Sequence, residues 1–333
     1  MTTILYSEEM YPDLSVERDV FGADVRLLLR TPATLAELDA ATCAEVDGLM
    51  LFRLWARADD IARFPRLRAI VRMGVGYDRI DRAAAAARQI VVCNVPDYGT
   101  TEVADHAIAL ALTLRRGVLL HHEAQRADPP AAWEPITHPL VRRLGGQGFG
   151  IVGLGRIGTA AALRAKALGF TVAFYDPMLP NGVDLALGIA REQTLAGLLR
   201  RADVLSIHAP LTPQTRGMIG AAELALLPRD AVVVNTARGP LLDIDALAAA
   251  LRCGHVAGAG LDVLPIEPPA EPPALLRAYR AREAWLRGRL VITPHAAFHS
   301  PQAWDDIRRK SAETMAAALL TDRPQNVIAP GSP

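Results

Sequence analysis

The chain has 333 residues, about twice the ~150 typical of one domain, and 51% of them are hydrophobic against 22% charged, which implies two domains with sizeable cores and excludes a disordered or fibrous protein. Its 36 basic and 36 acidic residues cancel, so no global field favours nucleic acid or an anionic membrane as partner. Cys43, Cys93 and Cys253 stand far apart, with no Cys-x-x-Cys pair and no histidine at ligand spacing, which argues against a disulfide framework or a metal site and fits a reducing cytoplasm.

In chain order, the start MTTILYSEEMYPD lacks the basic, apolar and small-residue sections of a signal peptide. The runs DGLML, LRAIVRM, DRAAAAAR and QIVVCNV then alternate β-rich and helical patterns, as parallel sheets with crossover helices do. TTEVADHAIALALTLRRGVLLHHEA reads as one long helix capped by Thr100 or Thr101. Its apolar stretch at residues 107–114 is far short of the ~20 residues a membrane helix needs. A Pro-rich change of texture over residues 128–148 follows, after which FGIVG, TVAFYD, DVLSIH, AVVVN, VAGAGLD and LVIT read as six strands. The fold class is α/β, with Rossmann-like doubly wound parallel sheets.

Gly153-Leu154-Gly155-Arg156-Ile157-Gly158 stands between a strand and a helical stretch. Gly153 permits the tight turn, Gly155 the approach of a pyrophosphate, and Gly158 close packing of helix on strand, while the helix N-terminus and Arg156 favour phosphate. The next strand run ends in Asp176, 18 residues beyond Gly158, where a carboxylate can accept both ribose hydroxyls. Asp176 would repel the extra phosphate of NADP, and Pro177-Met178 offers no arginine to receive it, so the expected cofactor is NAD.

Arg238 in VVVNTARGP, Glu267 in LDVLPIEP and His295 in VITPHAAF each follow an apolar strand run, at the sheet edge where open α/β folds bind ligands. Arginine offers a planar donor pair for a carboxylate or keto acid, histidine exchanges protons near neutrality, and a carboxylate beside it orients the ring. Taken singly, Arg238 reads equally as a surface strand-end arginine and Glu267 as a solvated loop acid; their convergence with His295 and the glycine loop favours catalysis. His106, His121, His122, His138, His255 and His299 lack such company and read as packing or surface residues. His208, closing DVLSIH, either touches the cofactor or packs structurally.

NTARG, LDVLPIEP, TPH and the placement of the glycine loop resemble the D-isomer-specific 2-hydroxyacid dehydrogenases over residues 45–328. RMGVGYDRID, NVPDYGTTEVADHA, GFTVAFYDP and HAAF are most similar to the C-terminal-binding-protein branch, whose animal members act as corepressors. The resemblance implies an NAD-binding domain, residues 100–298, inserted in a flavodoxin-like substrate domain of residues 1–99 and 299–333, and a cytoplasmic homodimer. It implies Arg238 as the substrate-polarising arginine, His295 as acid/base, Glu267 as its partner and Asp262 as a nicotinamide contact. Ile157, His208 and Ala237 join the cofactor contacts. The amides of Val75 and Gly76 are implied to hold the substrate carboxylate, with Arg53, Arg72 and Phe298 lining the substrate site.

Phe298 stands where the corepressor branch has Trp, and residues 274–289 form an insertion of unassigned role. The expected activity is interconversion of a 2-keto acid and a D-2-hydroxy acid. Two rivals remain: an NAD-sensing regulatory protein, disfavoured by the complete Arg, Glu and His set, and formate or phosphite oxidation, disfavoured by glutamate at position 267.

Overall fold

The apolar runs TTILY, VRLLL, GLML, AIVR and VVCN become parallel strands β1 (Thr2–Tyr6), β2 (Val25–Leu29), β3 (Gly48–Leu51), β4 (Ala69–Arg72) and β5 (Val91–Asn94), in the order β2-β1-β3-β4-β5. This is a flavodoxin-like order. The structure is a computed structural model that describes residues 1–321 and 323–331. It divides into two compact units, one of Met1–Gly99 with the segment from His299 onward, the other Thr100–Phe298.

In the first unit β3 is buried along its whole length, as parallel strands covered on both faces are. The helix Pro301–Leu319 lies on this sheet, capped by Ser300, whose hydroxyl accepts from the Ala303 amide. Gly48 admits it closely: a Cβ there would stand 2.6 Å from Leu319 and 2.8 Å from Met315. Arg308 on this helix grips the fully buried Glu17 carboxylate in two-pronged fashion, at 2.9 and 2.7 Å, so neither charge is buried unpaired.

The second unit holds seven parallel strands: β6 (Gly148–Val152), β7 (Thr171–Tyr175), β8 (Ala190–Arg191), β9 (Val204–Ile207), β10 (Ala231–Asn235), β11 (Val256–Leu261) and β12 (Leu290–Ile292). Their order is β12-β11-β10-β9-β6-β7-β8, which reverses direction at the β6/β9 pair, the switch point at which doubly wound sheets bind ligands. Six of these strands correspond to the six apolar runs; β8, two residues long, is too short to carry a pattern.

The expected single long helix is two, Thr100–Arg115 and Val118–Gln125. Gly117 adopts a left-handed conformation (φ +62°) between them, and a Cβ there would meet Val141 at 2.7 Å. The insertion forms a helix, Ala274–Arg280, and a tight turn at Ala284–Leu286. Arg289 just beyond it donates to the carbonyls of Leu251, Val256, Ala257 and Trp285, fastening the insertion to the sheet. All three cysteines are free, and among the described residues no helix is long and apolar enough to cross a membrane and no acid, His or Cys cluster could hold a metal.

Candidate active site

The glycine loop follows β6. Gly153 has φ +86°, and a Cβ there would lie 2.7 Å from the backbone of Ala209, so both conformation and space demand glycine. A Cβ on Gly158 would lie 2.1 Å from the Gly153 carbonyl, which is how the helix Arg156–Ala167 closes onto the loop. Gly155 is different: a Cβ there meets nothing within 4 Å, so the space beside it at the helix N-terminus is open. The amides of Arg156 and Ile157 open that helix without carbonyls behind them, which suits a pyrophosphate.

Asp176 follows β7 with one carboxylate oxygen on the Leu154 amide and the other on the Met178 amide, both at 2.9 Å. The acid is thereby locked against the glycine loop. His208 follows β9, its Nε2 2.8 Å from the Ser206 hydroxyl. Burial pulls its pKa down to about 4, so the ring is neutral at pH 7, and Nδ1 is buried with no hydrogen-bond partner. An orphaned ring nitrogen beside an open glycine loop and a fixed acid is a set of groups that a dinucleotide fits.

Beyond β10 the NTARG turn is clamped by Asn235, whose side chain accepts from the Ala237 amide and donates to the Arg238 carbonyl, each at 3.0 Å. Arg238 donates to the Ala237 carbonyl at 2.7 Å. Gly239 then passes so close to the next loop that a Cβ would lie 2.0 Å from the Leu264 carbonyl carbon. This contact sets Arg238 beside the loop that carries Glu267.

Glu267 accepts from the Leu264 amide at 2.8 Å through one oxygen and stands 2.6 Å from His295 Nδ1 through the other. Burial pushes its carboxyl up, but the hydrogen bond and charge of His295, the Leu264 amide and the charge of Arg238 outweigh it, and the net direction is down. Glu267 is therefore an anion at neutral pH.

His295 itself has φ +54°, a left-handed conformation that non-glycine residues hold only when their surroundings impose it. The imposing group is Asp262. Its backbone carbonyl accepts from the His295 amide at 2.7 Å, and its buried carboxylate accepts from the Ala296 and Ala297 amides, each at 2.9 Å, and from the Thr293 hydroxyl at 2.5 Å. Asp262 thus braces the loop that carries His295 in addition to any contact it makes with a ligand. The Phe298 ring stands edge-on to His295, with centroids 6.3 Å apart.

In the first unit, Met73 and Gly74 donate to Leu51 and Arg72 carbonyls, whereas the amides of the half-buried Val75 and Gly76 make no backbone hydrogen bond among the described residues. Arg72 folds back over Gly74, where a Cβ would lie 1.3 Å from its Nη1, and donates to the Met73 carbonyl at 2.8 Å. Its guanidinium and that of Arg53 lie 5.6 and 5.1 Å from the centre of the Phe52 ring. Glu8 fixes the loop under them by accepting from the amides of Phe52, Arg53 and Leu54.

The structure therefore gathers Ala237, Arg238, Asp262, Glu267, His295 and Phe298 on adjacent loops of one sheet edge, and Gly153, Gly155, Arg156, Ile157, Gly158, Asp176 and His208 around its switch point. Arg53, Arg72, Val75 and Gly76 belong to the other unit. Sequence reasoning missed Asn235, Gly239 and Glu8, which act through backbone contacts, although a polar Asn235 closing the run AVVV was a usable signal. His106, read as a packing or surface residue, stands with its Nε2 3.0 Å from the Thr293 hydroxyl.

Residues 108–297 match the family described as "D-isomer specific 2-hydroxyacid dehydrogenase, NAD binding domain". The chain is 33% identical over 287 residues to a glycerate dehydrogenase of Methylorubrum extorquens, covering 84% of each. It is 37% identical over 268 residues to a glyoxylate reductase of Korarchaeum cryptofilum, covering 79% of this chain and 76% of that one. Among solved structures, D-lactate dehydrogenase from Aquifex aeolicus, complexed with NAD and lactic acid, superposes with a TM-score of 0.83 at 26% identity, covering 96% of each chain. With its NAD-binding domain, its two parallel sheets and relatives at this identity, the chain belongs to the D-isomer specific 2-hydroxyacid dehydrogenases and is an NAD-dependent enzyme of that class.

Proposed function

We propose that the enzyme reduces a 2-keto acid to the D-2-hydroxy acid, or runs the reverse, with His295 as acid/base. The observation that carries this reading is the 2.6 Å contact between Glu267 and His295 Nδ1, on a ring held in a left-handed backbone conformation. Glu267 occupies Nδ1, so Nε2 is the nitrogen that faces the substrate. In reduction it donates its proton to the oxygen developing charge at C2; in oxidation it takes that proton back. Glu267 stabilises the charged ring between the two events.

NADH, when bound, supplies the hydride that C2 receives, so that keto acid, NADH and one proton give hydroxy acid and NAD. Arg238 binds and polarises the keto acid through its planar donor pair. The amides of Val75 and Gly76, beside the Arg72 guanidinium, take the substrate carboxylate, and Phe298 supplies an apolar wall. Gly153, Gly155, Arg156, Ile157 and Gly158 hold the pyrophosphate, Asp176 the adenosine ribose, and His208, Ala237 and Asp262 the remaining cofactor contacts. Residues 100–298 then serve as the cofactor domain and 1–99 with 299–333 as the substrate domain. Resemblance to the family supports a cytoplasmic homodimer, which sedimentation equilibrium checks.

A steady-state panel of 2-keto acids with NADH, with chiral analysis of the product, tests the reading. Turnover to the D-isomer supports it. Tight NADH binding with no turnover on any keto acid would instead favour the regulatory role of the corepressor branch.

A further inference from the structure

His106 lies on the helix Thr100–Arg115 with its side chain about one quarter exposed. That helix sits tight against β11 because Gly260 leaves room for Leu110, one turn from His106: a Cβ on Gly260 would stand 2.9 Å from Leu110 Cβ. The approach brings His106 Nε2 to 3.0 Å from the Thr293 hydroxyl and 3.8 Å from the nearer oxygen of Asp262.

Counting hydrogens fixes the direction of this chain. The Thr293 hydroxyl has one proton, and a carboxylate oxygen 2.5 Å away claims it. Only lone pairs of the hydroxyl are then left for the histidine, so His106 Nε2 must be a donor. The chain runs from His106 Nε2–H to Thr293 to the carboxylate of Asp262, and the same carboxylate receives the Ala296 and Ala297 amides that follow His295.

We propose that His106 is a positioning residue: by donating to Thr293 it orients the hydroxyl and the Asp262 carboxylate, and so holds the loop that presents His295 in its left-handed conformation. The proposal rests on the acid/base reading of His295. Hydrogen bonds that end on a buried charge polarise one another, and cutting the outer one loosens the bond it supports. His106 reaches the loop of His295 through Thr293 and Asp262, so its effect is expected on kcat.

Two measurements test this. In the cofactor-free protein with nitrogen-15 histidine, NMR is expected to show His106 protonated at Nε2; a neutral ring with its proton on Nδ1 overturns the proposal. In kinetics, His106→Leu is expected to lower kcat about tenfold, with the calorimetric NADH dissociation constant within threefold of wild type. His106→Gln, whose amide nitrogen replaces Nε2, restores kcat to within about threefold, whereas His106→Asn, whose amide falls short at the Nδ1 position, does not. Thr293→Val costs about as much as His106→Leu, and the double variant no more than either alone. Equal kcat for the Gln and Asn variants, or additive losses in the double variant, overturns the chain. His295→Ala is the separate control: if that variant keeps wild-type kcat, the acid/base reading falls, while the NMR result still decides the direction of the His106 bond.

Discussion

Glu267 divides its carboxylate between two tasks, one oxygen on the amide of Leu264 in its own loop and the other on Nδ1 of His295 from the loop beyond β12. The first bond fixes where the acid stands and the second occupies Nδ1 of His295, leaving Nε2 as the nitrogen that exchanges the proton in the proposed reaction. His295→Ala should therefore lower kcat by ~10² or more while leaving the NADH dissociation constant nearly unchanged, since proton transfer contributes about that factor. Parallel loss of NADH affinity and turnover would count against the assignment.

Glu267→Gln keeps the shape of the pair and removes its charge. With the anion gone, Nδ1 of His295 loses the charged acceptor that orients the ring, so kcat is expected to fall about tenfold or more in both directions while the NADH dissociation constant stays within a few-fold. Steady-state kinetics in both directions together with calorimetry check this, and wild-type kcat would remove Glu267 from the reaction.

Much of this site was legible because its parts are punctuated. An apolar run that stops at a polar residue marks the edge of a parallel sheet, and Asp176, Arg238 and His295 all announce themselves in that way. Gly153 and Gly158 are legible for a similar reason, since only glycine meets their steric demands. Backbone geometry and pairing across the sequence are not written in local pattern: the left-handed conformation of His295, the grip of Glu8 on residues 52–54 and the reach of His106 to Thr293 depend on elements far apart in the chain. The break at Gly117 was missed because a single glycine inside a helical pattern is usually tolerated.

Asp176 has a second duty that sharpens its test. Asp176→Ala should raise the NADH dissociation constant about tenfold or more, through loss of the proposed ribose contact and of the anchor on the Leu154 amide. NADPH should suffer less, because the charge that repels its phosphate is also gone. Calorimetry with both cofactors checks this; unchanged NADH binding would move the ribose elsewhere.

Gly239→Ala offers a probe of alignment that touches no charged group. The new Cβ would lie within 2.0 to 2.4 Å of the Leu264 carbonyl and the Pro265 nitrogen, all backbone atoms, so one loop has to shift. Displacing Arg238 from Glu267 by an ångström is expected to cost about 10² in kcat. NADH affinity should stay within a few-fold, and the far-ultraviolet spectrum should be unchanged. Wild-type turnover would show that the spacing of these two loops is not part of the machinery.

The choice of substrate is the sharpest test of the first unit. Arg72 lies back across Gly74, and its guanidinium and that of Arg53 both stand within 5.6 Å of the centre of the Phe52 ring. In the proposed reaction the nearby amides of Val75 and Gly76 take the substrate carboxylate, and two guanidiniums clustered at Phe52 make a second anionic group on the substrate favourable, because charge-assisted hydrogen bonds are the strong ones. Keto acids that bear a second carboxylate, a phosphate or a phosphonate should therefore exceed pyruvate in kcat/KM, and Arg72→Ala should narrow the gap mainly through KM. Raising the ionic strength should narrow it as well, since the attraction is screened. If pyruvate or glyoxylate serves the wild type as well as any dianion, Arg72 and Arg53 select nothing, and their place around Phe52 is structural.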